Sequence, residues 1–163
     1  MERILDVAQF IFDEYFKISG IKIDEMKLQK LLYFTQREAL AITGKPLFKG
    51  DFEGWKYGPV SREVRSAYTE DEGINADVKE LSPESAYITK NVILSYGEYA
   101  SWKLSKLSHQ EISWKNARIG LKPEENGNKK MLLEDIKKDA EKIRPYDHVW
   151  DMYYDEFEDI EVV

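Results

Sequence analysis

The sequence predicts a mainly α-helical fold, a compact multi-helix bundle in a single domain, with an α+β variant if residues 50–58 form a short hairpin. Apolar residues recur at helical spacing in several segments, which indicates amphipathic helices. Capping residues and prolines divide these segments from one another. The 163 residues contain no internal repeat and no long linker, and they suffice to bury a core in one domain.

Two helices are predicted at the start of the chain, divided at Gly20, which suits a C-cap. The first presents one apolar stripe, formed by Ile4, Leu5, Ala8, Ile11, Phe12, Tyr15 and Phe16. Asp24 is a good N-cap for the second helix, which runs to about Thr43. Gly44 ends this helix, and Pro46 prevents its continuation. Because the connection is short, we expect an antiparallel pair.

Residues 45–60 are predicted to form a structured loop with a short hairpin, because three glycines, two prolines and four aromatic residues fall within 16 positions. A third helix is expected to begin near Pro59, which suits a first helical position, and to run through Val64 to Tyr68. Residues 69–81 are polar and predict a loop or a short strand.

Further helices are predicted in the second half of the chain. Ser82, an N-cap, and Pro83 in the first turn begin a helix that ends at about residue 95. Its expected buried residues are Tyr87, Ile88, Val92 and Tyr96. A short helix that follows carries Trp102, Leu104 and Leu107.

Ser108 and Glu111 match a capping box, in which each side chain satisfies the other residue's free amide. The helix that this box opens carries Ile112, Trp114 and Ala117. Residues 120–129 are rich in Gly, Pro and Asn and predict a loop. The last helix is expected over about 129–143, and Pro145 stops it. Its inward residues are Leu132, Leu133, Ile136, Ala140 and Ile143.

Composition excludes several classes of protein. The absence of cysteine excludes a disulfide scaffold, a thiolate zinc site and a cysteine nucleophile, and it fits a cytoplasmic location. Asp6, Asp13 and Glu14 interrupt the apolar start of the chain, so we expect neither a signal peptide nor a membrane span. The net charge of −7 argues against a general nucleic-acid coat protein.

The sequence predicts no enzyme, no cofactor and no metal site. It contains no nucleotide-binding glycine loop, nucleophile elbow or HExxH zinc motif. His109 and Glu111 are two positions apart and would point to different faces of a helix. His148, among Tyr146, Asp147 and Asp151, has too few neighbouring ligands for a confident zinc site.

Six residues form the candidate partner-binding group in the front part of the chain: Lys27, Lys30, Trp55, Tyr57, Arg62 and Arg65. If the second and third helices lie together, these cations and aromatic rings share one patch, which could stack on nucleic-acid bases. The alternative is that the aromatic side chains anchor the loop and the cations form a solvated face. Nucleic-acid binding is the less favoured of the two.

The chain is expected to divide into a helical domain, residues 1–145, and an acidic, aromatic extension, residues 146–163. Exposure of the large apolar side chains of the extension to water is unfavourable, so we expect these side chains to pack against another surface. They dock either on the core of this chain or on a basic surface of a partner. For the second case the candidate residues are Trp150, Tyr153, Tyr154 and Phe157.

Three ordered motifs support a family assignment. They lie at Met26–Gln36, Thr43–Val60 and Leu107–Arg118. Together they resemble the Panacea domain, the SocA-like antitoxin family that includes phage-associated GepA proteins. The resemblance covers roughly residues 1–120, and Ile112-Ser113 depart from the expected closing motif.

This resemblance implies an antitoxin that neutralises a protein toxin, usually encoded by the adjacent gene, by direct binding. The alternatives are a protease adaptor and a phage-encoded interaction protein; a homodimer is a further option. The motif residues are expected to be structural and not to choose the toxin. They are Gln29, Gly44, Pro46, Gly58, Pro59, Ser108, His109, Glu111 and Trp114.

Overall fold

The computed structural model describes residues 1–143, which form seven helices and three two-stranded sheets around one hydrophobic core. The helices are α1 (Ile4–Ser19), α2 (Glu25–Thr43), α3 (Arg62–Ala67), α4 (Pro83–Tyr96), α5 (Ser101–Ser108), α6 (Ile112–Ala117) and α7 (Leu133–Glu141). The strands are β1 (Glu2–Arg3), β2 (Phe48–Lys49), β3 (Glu53–Trp55), β4 (Gly58–Val60), β5 (Tyr68–Thr69) and β6 (Gly73–Ile74). The predicted mainly α-helical class is confirmed. Within this part of the chain, no helix is both long and apolar enough to span a membrane.

Local capping defines the first two helices as predicted. Gly20 and Gly44 both adopt the left-handed conformation, and each donates its N–H to the carbonyl oxygen four residues earlier, at 2.8 and 2.9 Å. Asp24 caps α2 by accepting from the Lys27 N–H at 2.9 Å. Ser82 likewise caps α4, followed by Pro83 in the first turn. The capping hydrogen bonds at these four sites join groups within four residues of one another, and this is why the sequence predicts them correctly.

The central helix of the fold is α2. It packs against α1, α4, α5, α7 and β4, and every residue from Lys27 to Leu40 is buried. Because neighbours enclose it on all sides, its polar side chains must find partners inside the protein. Several of these partners belong to the loops and short strands, so α2 positions the segments around it.

The predicted hairpin exists, slightly later than residues 50–58. β3 and β4 are antiparallel, with Glu53 opposite Val60 and Trp55 opposite Gly58. The other two sheets are the parallel pair β1–β2 and the antiparallel pair β5–β6. The strands are two or three residues long, so they fix local loop geometry and do not form a layer of the fold.

The predicted start of the third helix is wrong. Pro59 lies in β4, opposite Gly54, and α3 begins at Arg62. The N-cap is Ser61, whose hydroxyl accepts from the Val64 N–H at 3.2 Å. Pairing with β3 keeps Pro59 in an extended strand, so the helix begins only after the Ser61 cap.

The predicted capping box is also wrong. Ser108 is the last residue of α5 and donates its hydroxyl to the Ser105 carbonyl at 2.6 Å. The Asp139 carboxylate, from α7, accepts from the Ile112 and Ser113 amides at 2.6 and 3.1 Å. A cap from a distant helix has replaced the local one, and it leaves the Glu111 side chain for another partner.

The last helix is shorter than the expected 129–143. Lys129 accepts from the Gly54 N–H at 3.0 Å, and Met131 donates to Phe52 at 2.8 Å, so this segment runs beside the hairpin strand before α7 begins. Ile136 and Ala140 are buried as predicted, but the predicted inward residues Leu132 and Leu133 are exposed. Tyr87, predicted to be buried in α4, is also exposed.

Candidate partner-binding surface

Four of the predicted binding residues meet on one surface, built by the hairpin and α3. Trp55 lies in β3, and the guanidinium carbons of Arg62 and Arg65 lie 5.2 and 5.1 Å from the centroid of its ring. Tyr57, in the turn between the strands, is 53% exposed. We call these four residues the Trp55 surface. The sequence predicted this grouping on the condition that the second and third helices lie together, and one ion pair, between Glu25 of α2 and Arg65 of α3, joins them.

Acidic side chains hold the Trp55 surface in one arrangement. Glu53 accepts from the Trp55 indole N–H at 2.9 Å and from the Arg62 Nε at 2.7 Å. Glu25, at the start of α2, accepts from Arg65 at 2.8 Å. Exposed ion pairs of this kind add little stability. Here they fix the orientation of an aromatic ring and two guanidinium groups before any partner arrives.

A small cavity lies between this surface and the start of α2. Its volume is about 170 Å³, and its lining residues include Met26, Lys30, Trp55, Tyr57 and Val60. Pockets that bind small molecules usually measure about 300–1,000 Å³. The volume of this cavity lies below that range.

Two predicted surface cations are inside the protein, which corrects that part of the prediction. Lys30 is 1% exposed, and its ammonium donates to the Pro59 carbonyl at 3.1 Å. Burial lowers the pKa of Lys30 to about 7. Lys27 is buried too, and it donates to the Gly97 carbonyl at 2.8 Å. Helical spacing could not reveal this, because α2 is enclosed on every side.

The family-motif residues hold the hairpin in place. The Gln29 amide bonds both backbone groups of Ser61, at 2.9 and 3.2 Å. The Trp114 indole donates to the Trp55 carbonyl at 2.7 Å, and His109 stacks on Trp114 with ring centroids 4.1 Å apart. Burial lowers the pKa of His109. These are contacts that a structural role requires. Pro46 lies between the C-cap of α2 and β2.

Gly58 allows the hairpin to approach α5. Its φ is +117°, and a Cβ atom there would lie 2.7 Å from the Lys30 Cε and would also overlap the Ser108 hydroxyl. We expect Gly58→Ala to lower the free energy of unfolding by about 2 kcal/mol, through backbone strain and overpacking together. The matched control is Gly44→Ala, where φ is +73° but no atom lies within 4 Å of the added carbon. That variant is expected to lose only about 1 kcal/mol. Urea unfolding measures both losses. Equal losses in the two variants would contradict the close approach of Gly58 to Lys30 and Ser108.

Arg118 is a structural residue whose role could not be predicted from the sequence. Its guanidinium is buried and donates to four carbonyl groups, at Gly54, Asn126, Lys122 and Glu125. It therefore joins the hairpin to the loop after α6. In the sequence, Arg118 is distinguished only by its position at the end of the closing motif.

The sequence also did not reveal a buried polar network around Arg37. Arg37 forms an ion pair with Glu111 and donates to the Tyr96 hydroxyl at 3.0 Å. Its guanidinium carbon lies 4.6 Å from the Phe34 ring centroid. Glu38, the next residue, is also buried. This network explains why Glu111 is unavailable to cap a helix or to join His109.

Glu38 makes stability depend on pH. Burial raises the pKa of Glu38 to about 7. The folded state therefore holds the carboxyl proton of Glu38 more tightly than the unfolded chain does. The stability that this protonation contributes is fully present below the unfolded pKa of about 4.5, and it is lost as pH rises to about 7. We expect Glu38→Gln to raise the free energy of unfolding at pH 8 by about 2 kcal/mol and to change it little at pH 4.5. Urea unfolding at both pH values tests this; an equal effect at the two values would contradict it.

The two histidine candidates for metal binding have different outcomes. Among residues 1–143 no group of His, Asp and Glu side chains is arranged to hold a metal ion. His109 stacks on Trp114 while Glu111 turns to Arg37. His148 lies outside the described residues, as do Trp150, Tyr153, Tyr154 and Phe157.

Comparisons with known proteins agree with the resemblance. The antitoxin SocA-like, Panacea domain family matches residues 28–115, which include the four residues of the Trp55 surface and Glu53, whereas Glu25 lies outside the match. Antitoxin SocA of Caulobacter vibrioides (strain NA1000 / CB15N) is 44% identical over 63 residues, 39% of this chain. The matched part of this chain spans one third of that relative's length. No solved structure matches. Because the family match extends over more than half of its residues, the chain belongs to the antitoxin SocA-like, Panacea domain family.

Proposed function

We propose that this protein is an antitoxin that neutralises a protein toxin by binding it directly, and that the Trp55 surface contacts the toxin. The observation that carries the proposal is the position of this surface inside the family match. Tryptophan, tyrosine and arginine supply most of the binding energy in protein interfaces. Here they are exposed in part, held in one geometry and placed beside a cavity that suits one side chain.

Neutralisation by binding requires no chemical step from the antitoxin. Arg37 and Glu38, two strongly buried ionisable residues of α2, lie in the core and line none of the cavity beside the Trp55 surface. We therefore propose inhibition by occlusion, in the cytoplasm, of a toxin encoded by the adjacent gene. A homodimer is compatible with this mechanism but not required by it.

Nucleic-acid binding remains the weaker alternative for the Trp55 surface. Both of its guanidinium groups already have carboxylate partners, Arg62 with Glu53 and Arg65 with Glu25. A phosphate group would have to displace these acids or approach them closely. A protein partner that packs on the ring does not meet this repulsion.

Co-expression with the adjacent gene tests the proposed function. We expect the neighbour alone to arrest growth, and this protein to restore growth and to co-purify with it. A harmless neighbour that does not co-purify would contradict the proposal. Loss of the toxin only when a cellular protease is present would favour the protease-adaptor alternative, and deletion of protease genes separates the two outcomes.

A further inference from the structure

We propose that residues 147–163, called here the acidic tail, dock on the Trp55 surface and the adjoining face of α5 when no toxin is bound. The tail carries seven acidic and no basic residues. The whole chain has a formal net charge of −7. The tail thus accounts for all of that charge, and the preceding residues are neutral overall. An acidic segment of this kind is attracted to a local cationic face.

Such a face adjoins the Trp55 surface. The Ser105 hydroxyl of α5 donates to the Tyr57 carbonyl at 2.6 Å, which places α5 beside the hairpin turn. Three ammonium groups on this side lie near exposed aromatic rings. The pairs are Lys56 with Tyr57 at 5.1 Å, Lys103 with Tyr99 at 4.3 Å and Lys106 with Trp102 at 6.0 Å.

These ammonium groups differ from the two guanidinium groups of the Trp55 surface. Within residues 1–143, Lys56, Lys103 and Lys106 form no ion pair with a carboxylate, whereas Arg62 and Arg65 each form one. Trp102 is 66% exposed, an unusual state for so large a ring. The face therefore offers free positive charge and bare aromatic area together.

The composition of the acidic tail complements this face. Trp150, Tyr153, Tyr154 and Phe157 alternate with carboxylates along it. Aromatic rings gain by leaving water for an apolar contact, and carboxylates gain by approaching unpaired ammonium groups. One segment that supplies both kinds of group fits a face that offers ammonium groups and exposed aromatic rings. This favours the first of the two alternatives for the tail, docking on its own chain.

The chain is long enough for this contact. The described residues end at Ile143, just after α7, and Asp139 of that helix caps α6 close to the end of α5. The 20 residues that follow can extend to about 66 Å. The longest helix, α2, measures only about 28 Å. The tail also lies outside the family match at residues 28–115, so it is an addition to the shared core.

If the toxin uses the Trp55 surface, as proposed above, it must displace the tail. The apparent affinity for toxin then falls in proportion to the fraction of molecules with an uncovered surface. A toxin segment that displaces the tail is expected to be acidic and aromatic as well.

A spin label tests the docking in the full chain without any toxin. Because the chain has no cysteine, Glu158→Cys creates a unique attachment site for a nitroxide. We expect the label to broaden the Trp55 indole N–H signal and the amide signals of α5 and α3, with signals recovered after reduction of the nitroxide. Salt at about 1 M should remove most of the broadening, since screening is then strong.

Matched charge variants locate the docking site. Lys103→Gln/Lys106→Gln should abolish the broadening of Trp55, whereas Lys45→Gln/Lys49→Gln, two exposed lysines beyond the far end of α2, should leave it unchanged. The proposal would be overturned if the label broadened signals at another surface or broadened no signals. It would also be overturned if both double variants lost the broadening of Trp55 equally. Broadening that appears only in mixtures of labelled and isotope-enriched chains would overturn it too, since the tail would then bind a second copy. Failure of toxin neutralisation leaves this result intact, so the two proposals fail independently.

Discussion

Glu111→Ala is expected to lower the free energy of unfolding by about 3–5 kcal/mol, the largest single effect that we predict for stability. The side chain of Arg37 is 6% exposed and pairs with Glu111 from α2 to the start of α6. The only other hydrogen-bond partner of the guanidinium in the described chain is Tyr96, and its Nε has no partner. Truncation of Glu111 would therefore leave the buried charge of Arg37 without its ion-pair partner.

Urea unfolding at pH 8 measures this loss, and an exposed ion pair provides the control. Asp51 and Lys130 lie 3.2 Å apart with both side chains 69% exposed. Asp51→Ala is therefore expected to change stability by less than about 1 kcal/mol. The double variant Arg37→Met/Glu111→Leu should recover most of the stability, because it removes both charges. A loss in Glu111→Ala no larger than that in Asp51→Ala would mean that water reaches Arg37.

Trp55→Ala is expected to weaken toxin binding by about 3 kcal/mol, roughly 100-fold in Kd, if the Trp55 surface contacts the toxin as proposed. The ring supplies the aromatic area of the surface, and its loss would also release Arg62 and Arg65 from their fixed positions. The fold should survive, because Trp114 is bonded to the Trp55 carbonyl, which the substitution retains.

Calorimetric titration of the toxin into both proteins gives the comparison, once unfolding curves have shown that the variant is folded. Tyr87→Ala, which truncates an exposed aromatic residue of α4, should bind toxin as the parent does. A folded Trp55→Ala variant with unchanged affinity would remove this surface from the toxin interface. Equal weakening in both variants would indicate a loss of general stability.

The residues of the Trp55 surface were predicted in part. Trp55, Tyr57, Arg62 and Arg65 are neighbours, as the sequence predicted, and their role in binding stays a prediction. The sequence could not exclude Lys30 from that group. A lysine is ordinarily exposed, and only the packing of the hairpin over α2 buries this one.

The sequence by itself determined the elements whose ends are capped locally. Gly20, Asp24, Gly44 and Ser82 act on backbone groups within four residues, so the end of α1, both ends of α2 and the start of α4 follow from short-range chemistry. The three family motifs are likewise contiguous stretches of chain.

Only the tertiary structure decided which polar groups meet. Asp139 caps α6 in place of Ser108, Glu111 turns to Arg37, and Arg118 gathers carbonyl groups from two loops. Each local prediction was chemically reasonable, but buried donors and acceptors must all be satisfied at once. The partner of each side chain therefore depends on the whole packed arrangement, which no window of sequence contains.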